Sequence, residues 1–262
     1  MEKQDLPIFH KKKLINPLKN TKKLPLFRDR LFTSFRSFEG RVPFLVDHLK
    51  RLAEGCSYFY PHEDFAGLEN KILEGLERLM AMAHRDLRYR ITLYLEADEL
   101  EFFISTYLLP EALPRCELIR ARTPRYPSSV PSNIKWGNNY AEIFHELKWA
   151  QEQGLDEVIF FNQEGLITEC STSNIFLIKG DRILTPKPNK CFLTGILRNN
   201  LINHLKAEEL DLSFEDLKEA DEVFLTNSVR GIVPVTKFED KILKKSSKIP
   251  EIYKKMIEAN CE

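Results

Sequence analysis

The sequence predicts an α+β protein in two domains, and three observations carry that reading. Apolar, partly alternating runs of strand length recur through both halves, the stretch from Phe65 to Met82 repeats its apolar residues at helical spacing, and a run rich in Pro and Ser at 122–131 separates the periodic segments. With 262 residues, 43% of them hydrophobic, the chain can bury one large core or two smaller ones; 10 Gly and 14 Pro are too few for a collagenous or low-complexity protein.

Taken in order, LFTSFRSFEGRVPFLVDHLKRL from Leu31 reads as a strand, a turn at Glu39-Gly40, a short strand and a helix that begins near Leu45. Leu68, Ile72, Leu76 and Leu79 or Met80 fall on one face of the next helix, which makes them core. RYRITLYLE and ELEFFISTYLL form an antiparallel pair broken at Asp98. The three prolines of RTPRYPSSVP mark a boundary, so the expected domains are an N-terminal α+β domain at 1–121, an interdomain linker at 122–131 and a C-terminal domain at 132–262. Beyond it come a helix at about Ala141 to Gln153, strands at EVIFF, LITE, SNIFLI and RILTP, a helix opening near Gly195, and strands at EVFLTN and GIVPVTKF.

Charge and cysteine usage exclude several function classes. The 39 Lys+Arg balance 39 Asp+Glu, which argues against a nucleic-acid partner, and the short basic run at His10 to Lys13 is read as solvated. Cys56, Cys116, Cys170, Cys191 and Cys261 are scattered, with no C-x-x-C pair, so neither a disulfide framework nor a metal site is expected. The N-terminal text lacks the apolar core of a signal peptide and no window reaches the roughly 18 apolar residues of a membrane span, so the expectation is a cytoplasmic protein with no membrane partner.

The chemistry collects in four places. Lys135 lies just past the Pro-rich run, Glu169 ends a strand, Thr194, Gly195 and Ile196 open a helix, and Thr226, Asn227 and Ser228 sit at another strand end. Amides at a helix N-terminus and nearby hydroxyls suit a phosphate. A nucleophilic amine, an acid and a phosphate cradle are together what pyridoxal phosphate needs. Taken singly, Lys135 is also compatible with a solvated surface lysine and Glu169 with a strand-end charge.

In this order, GLDEVIFFNQEGLITECSTSNIFLIKGDRILTP followed by FLTGILR resembles the class IV aminotransferases, over roughly Phe27 to Val235. That family comprises pyridoxal-phosphate enzymes of fold type IV, among them branched-chain and D-amino-acid aminotransferases and aminodeoxychorismate lyase. The resemblance implies a smaller N-terminal α/β domain, a larger barrel-like C-terminal domain that binds cofactor, pyridoxal 5'-phosphate in the cleft between them, and a homodimer acting on a small-molecule amino substrate. It assigns Lys135 as the catalytic lysine that bonds the cofactor and Glu169 as the acid that pairs with the pyridine nitrogen. It also assigns Tyr140 to the phenolic oxygen, and Arg51, the backbone of Gly195 and Ile196, and Ser228 to the phosphate. Thr172, Ser173 and Asn227 would line the cofactor.

Within the family, Thr33, Arg36 and Arg51 in LFTSFRSFEGRVPFLVDHLKRL and the form of TNSVRGIVPV resemble the lyase branch. This implies conversion of 4-amino-4-deoxychorismate to 4-aminobenzoate and pyruvate, in folate biosynthesis. WGNNY after Lys135 leans towards aminotransferases of branched-chain L-amino acids or D-amino acids, and a non-catalytic cofactor-binding member is the alternative of another class. Substrate carboxylates would be met by Arg36, Arg90, Arg122 or Arg230, since a diacid needs fixed positive partners, and Thr33 would line the substrate. Phe27-Arg28-Asp29-Arg30 replaces a Gly-Asp-Gly-like step of the family, and its opening Asn-Gly is absent, with Asn16 nearby.

Overall fold

The computed structural model describes residues 8–10, 13–15, 30–97, 99–113, 115–244 and 249–260. The expectations that fell on Lys11, Lys12, Asn16, Phe27 to Asp29 and Asp98 lie outside the described residues. The chain divides into two compact units, the first built from residues up to Pro110 together with 134–138, the second from 111–133 and 139–260. This division differs from the expected one at 122–131.

The first unit is an antiparallel sheet of five strands in the order β2-β1-β5-β4-β3, with β1 at Ile8–His10, β2 at Lys13–Ile15, β3 at Arg30–Arg36, β4 at Arg88–Glu96 and β5 at Glu99–Tyr107. Strand alternation turns Leu31, Thr33 and Phe35, with Tyr89, Ile91 and Leu93, towards the helices α1 (Leu45–Phe59) and α2 (Phe65–Ala81), and all six are buried. The Phe35 ring lies 4.8 Å from His48 of α1. Glu39 and Gly40 both take positive φ, 51° and 76°, which suits a two-residue reversal whose twist matches the strands. The short strand expected after this turn is a single bridge, Phe38 to Arg41, because the chain runs almost at once into α1 through a left-handed Phe44. Asp64 caps α2 by accepting from the amides of Ala66 and Gly67.

Residues 134–138 belong to this unit for a backbone reason. The Phe32 N–H donates to the Lys135 carbonyl (3.1 Å) and Leu31 pairs with Trp136, so the segment extends the sheet beyond β3.

The second unit holds a nine-stranded sheet in the order β11-β10-β9-β12-β13-β6-β7-β8, with β14 paired to β13. Its strands are β6 Cys116–Arg120, β7 Glu157–Phe161, β8 Ile167–Cys170, β9 Asn174–Lys179, β10 Arg182–Pro186, β11 Glu208–Leu210, β12 Glu222–Asn227, β13 Gly231–Phe238 and β14 Lys241–Ile242. Its helices are α3 Ala141–Glu152, α4 Ile196–Leu205, α5 Phe214–Glu219 and α6 Ile249–Ala259. The sheet curls until its ends meet: the Ile167 N–H of β8 donates to Leu212 (2.7 Å) and Leu166 pairs with Ser213, just past β11. The core includes Ile175, Leu177, Leu225, Val233 and Val235, and the rings of Phe176 and Phe224 stack at 4.9 Å.

The segment 122–131 is stitched into this second unit. Arg125 N–H donates to Phe161 (2.8 Å), Ser128 N–H to Lys190 (2.7 Å), and Ser132 accepts from Thr194 (2.8 Å). Its prolines have no N–H to donate, and neighbouring amides and carbonyls find partners on β7 and on the loop before α4.

Candidate active site

In the first unit Lys135, Arg36 and Arg90 gather on the sheet face that turns away from α1 and α2, whereas Thr33 lies on the opposite face and Arg51 on α1. Lys135 Nζ lies 5.1 Å from the centre of the Phe32 ring, and the Arg90 guanidinium lies 4.6 Å from the same ring. Arg90 Nε donates to Ser34 Oγ (3.2 Å), its cross-strand partner. Arg36 and Arg88 face each other in the β3–β4 register, and alternation places Arg88 with Arg90. The Arg88 guanidinium lies 5.2 Å from the Tyr107 ring. Sequence reasoning missed Arg88, which the period of two from Arg90 signals.

Thr33 needs a correction. Its side chain is fully buried on the opposite face and shares a 2.6 Å hydrogen bond with His48 Nδ1, so it is spoken for within the core and is not placed to meet a substrate. His48 and Arg51 stand three residues apart on α1, both buried. Burial, then the charges of Arg51 and Lys135, holds the His48 imidazole well below its ordinary proton affinity.

In the second unit, Glu169 near the end of β8 sits 3.7 Å from Arg125 Nη2 and accepts the Leu193 N–H through Oε2 (3.3 Å). Asn174 at the start of β9 accepts the Gly195 N–H (3.0 Å) and donates to the Leu193 carbonyl (2.8 Å). The Gly195 amide is therefore taken by a side chain. The amides that follow it, from Ile196 onward, open α4, where N–H groups have no intrahelical acceptor and could receive an anion.

The turn between β8 and β9 is closed by Cys170 N–H donating to Ser173 (2.8 Å), and beneath it buried Glu157 accepts from the amides of Val158 (2.9 Å) and Ser171 (3.1 Å). Burial raises the Glu157 carboxyl above its usual range, against those hydrogen bonds. Asn227 donates to Ser173 Oγ (2.9 Å) and accepts from the amides of Val229 and Arg230, so the Ser173–Asn227 pair shapes two turns, one of them holding Ser228. Thr172 is exposed, and Tyr140, at the start of α3, packs its ring 5.7 Å from Phe144.

Two candidate substrate arginines are occupied elsewhere. Arg122 makes a fork to Glu146 (3.0 and 3.3 Å), whose side chain is buried, and lies over Trp149. Arg230 is exposed and donates to the Glu111 carbonyl (3.3 Å).

Residues 30–238 match the family model described as amino-transferase class IV. The chain belongs to the class IV aminotransferase family. This class IV chain is 31% identical over 238 residues to an aminodeoxychorismate lyase of Bacillus subtilis, covering 80% of this chain and 78% of the relative. It is 30% identical over 219 residues to a probable branched-chain-amino-acid aminotransferase of Aquifex aeolicus, covering 76% and 70%. Among solved structures, a Brucella abortus aminotransferase bound to pyridoxal phosphate superposes with a TM-score of 0.81 at 22% identity, over 97% of this chain and 98% of that one. A putative 4-amino-4-deoxychorismate lyase from Legionella pneumophila gives 0.75 at 22% identity, over 92% and 97%. The two solved structures establish the fold, and the family and α+β class expected from the sequence hold. No helix among the described residues is long and apolar enough to cross a membrane.

Proposed function

We propose that this class IV enzyme binds pyridoxal 5'-phosphate and converts 4-amino-4-deoxychorismate to 4-aminobenzoate and pyruvate. The residues fit the cofactor. The first unit offers the Lys135 amine and the Arg51 guanidinium, and the second offers the Glu169 carboxylate at a strand end, the amides from Ile196 onward and the Ser228 hydroxyl, the last two being donors suited to a phosphate. When bound, the cofactor supplies the electron sink. With the cofactor bound, Lys135 would remove and return the substrate proton, Glu169 would hold a proton on the ring nitrogen, Tyr140 would bond the phenolic oxygen, and Arg51 would anchor the phosphate.

The observation that carries the substrate reading is the cationic face of the first sheet. Arg36, Arg88 and Arg90 lie on the face where Lys135 rests against Phe32, an arrangement that suits a substrate with two carboxylates better than one with an apolar side chain. The reaction divides one molecule into two and needs no co-substrate. The 31% identity to the Bacillus subtilis lyase over 80% of this chain is in keeping with it. The same reading carries a cytoplasmic role in folate biosynthesis and a homodimer, which light scattering tests.

The experiment is an absorbance spectrum of the protein loaded with pyridoxal phosphate. Enzymatically generated aminodeoxychorismate should yield 4-aminobenzoate and pyruvate while the Schiff-base band persists. Bleaching of that band by glutamate, a branched-chain L-amino acid or D-alanine would instead mean a transaminase, which the Aquifex aeolicus relative favours. A band with no turnover would mean a non-catalytic member, and no band would refute the assignment of Lys135.

A further inference from the structure

The Pro-rich segment carries a residue that neither the composition nor the family resemblance marks. We propose that Arg125 is a positioning residue that sets the orientation and charge of Glu169 and locks it to the loop leading into α4. The inference rests on the reading of Glu169 as the partner of the ring nitrogen.

The geometry is a closed ring of contacts within the second unit. Arg125 Nη2 lies 3.7 Å from Glu169 Oε1, with only 15% and 10% of the two side chains exposed. Its Nε donates to the Cys191 carbonyl (3.3 Å). Glu169 Oε2, on the other side of the carboxylate, accepts the Leu193 N–H two residues further along the same loop. Arg125 itself is pinned by its N–H to Phe161, by its pairing with Asn162 and by the Phe160 ring, 5.7 Å from the guanidinium. A lysine would bring one nitrogen where the guanidinium brings two, Nη2 towards the carboxylate and Nε to the carbonyl. Two residues past Leu193 stands Gly195, so a shift of the acid displaces the start of the phosphate helix.

The charge consequence follows from the same contact. A cation this close to a sheltered carboxylate lowers its proton affinity. The other titratable groups on the packed elements include Cys170 on β8, Glu157 on β7, Arg198 on α4, and Tyr126, Glu164, Lys187, Lys190 and Cys191 on the flanking segments. Burial pushes all three of Cys170, Cys191 and Glu157 towards their neutral forms. Arg125 thus limits how tightly Glu169 and a ring nitrogen share their proton, and so how strongly the pair draws electrons.

The test compares R125M and R125K with wild type in two measurements. The first is the titration of the Glu169 carboxyl by carbon-13 NMR in the apoprotein, assigned with E169Q. The second is the nitrogen-15 shift and affinity of ring-labelled pyridoxal phosphate. R125M should raise the proton affinity of Glu169 about tenfold and move the bound ring nitrogen towards its protonated shift. R125K should keep the titration near wild type yet loosen cofactor binding about tenfold, because it keeps the charge and loses the tie to Cys191. An unchanged Glu169 titration in folded R125M overturns the proposal. Should R125M not fold, wild-type cofactor affinity in R125K overturns it. A wild-type protein that takes up no cofactor would refute the proposed function instead, since the apoprotein titration does not involve it.

Discussion

Replacing Gly195 by alanine tests whether Asn174 is the clamp that shapes the anion site. Gly195 has φ −68° and ψ 145°, a backbone open to any L-residue, so conformation alone predicts a small effect. The contact predicts otherwise, because a Cβ at this position would lie 2.2 Å from Asn174 Oδ1. Asn174 is buried and must abandon its place, which leaves the Gly195 N–H and the Leu193 carbonyl without their partner. At roughly 1–2 kcal/mol for each buried bond broken, G195A should destabilise the apoprotein by about 2–4 kcal/mol. Urea unfolding should show this as a lower midpoint with an unchanged slope. In an N174G background the clash is gone, and adding G195A should cost less than about 1 kcal/mol. A G195A loss below about 0.5 kcal/mol, or effects that add in the double variant, would refute the clamp.

Three further outcomes follow from the geometry. His48 is held neutral in the fold, so an unfolded chain gains its proton first as the pH falls below about 6.5; stability should be level above that value and drop below it, and H48Q should flatten the drop in melting temperature between pH 7.5 and 5. E157Q keeps the acceptor for Val158 and Ser171 and should stay within about 1 kcal/mol of wild type by urea unfolding, whereas E157A strands two buried amides and should lose about 2–4 kcal/mol. R90A should raise the substrate KM at least tenfold with little change in stability; R122A should leave KM alone and destabilise by about 1–3 kcal/mol, since Glu146 is then buried without its fork.

What could be read from the chain was what depends on neighbours in sequence. The helical spacing of Leu68, Ile72 and Leu76 and the alternation in RYRITLYLE are local, and α2 and β4 form there. Strand β6 is different: CELIR has little pattern of its own and becomes a strand through parallel neighbours, β7 and β13, that lie far along the chain. Helix α5 did carry a local sign, the Ser213 to Asp216 capping box, which the reading passed over. At the site, residue types and spacing pointed to Lys135 and Glu169, but not to Asn174, Arg88 or Arg125. Proline content made 122–131 look like a spacer, and composition cannot show that its amides and its arginine are spent on β7, β8 and the loop before α4.

The backbone bond between Phe32 and Lys135 bears on how this protein can be recombined with its relatives. A chimera joined inside the Pro-rich run would take β3 from one parent and the lysine segment from the other. The five residues at 134–138 would then have to find register on a foreign sheet edge, and a slip of one residue would turn the amine to the opposite side. Crossovers placed after Asn138 keep β3 and Lys135 from one parent, so hybrid libraries cut there should retain covalent cofactor capture far more often than those cut at 122–131.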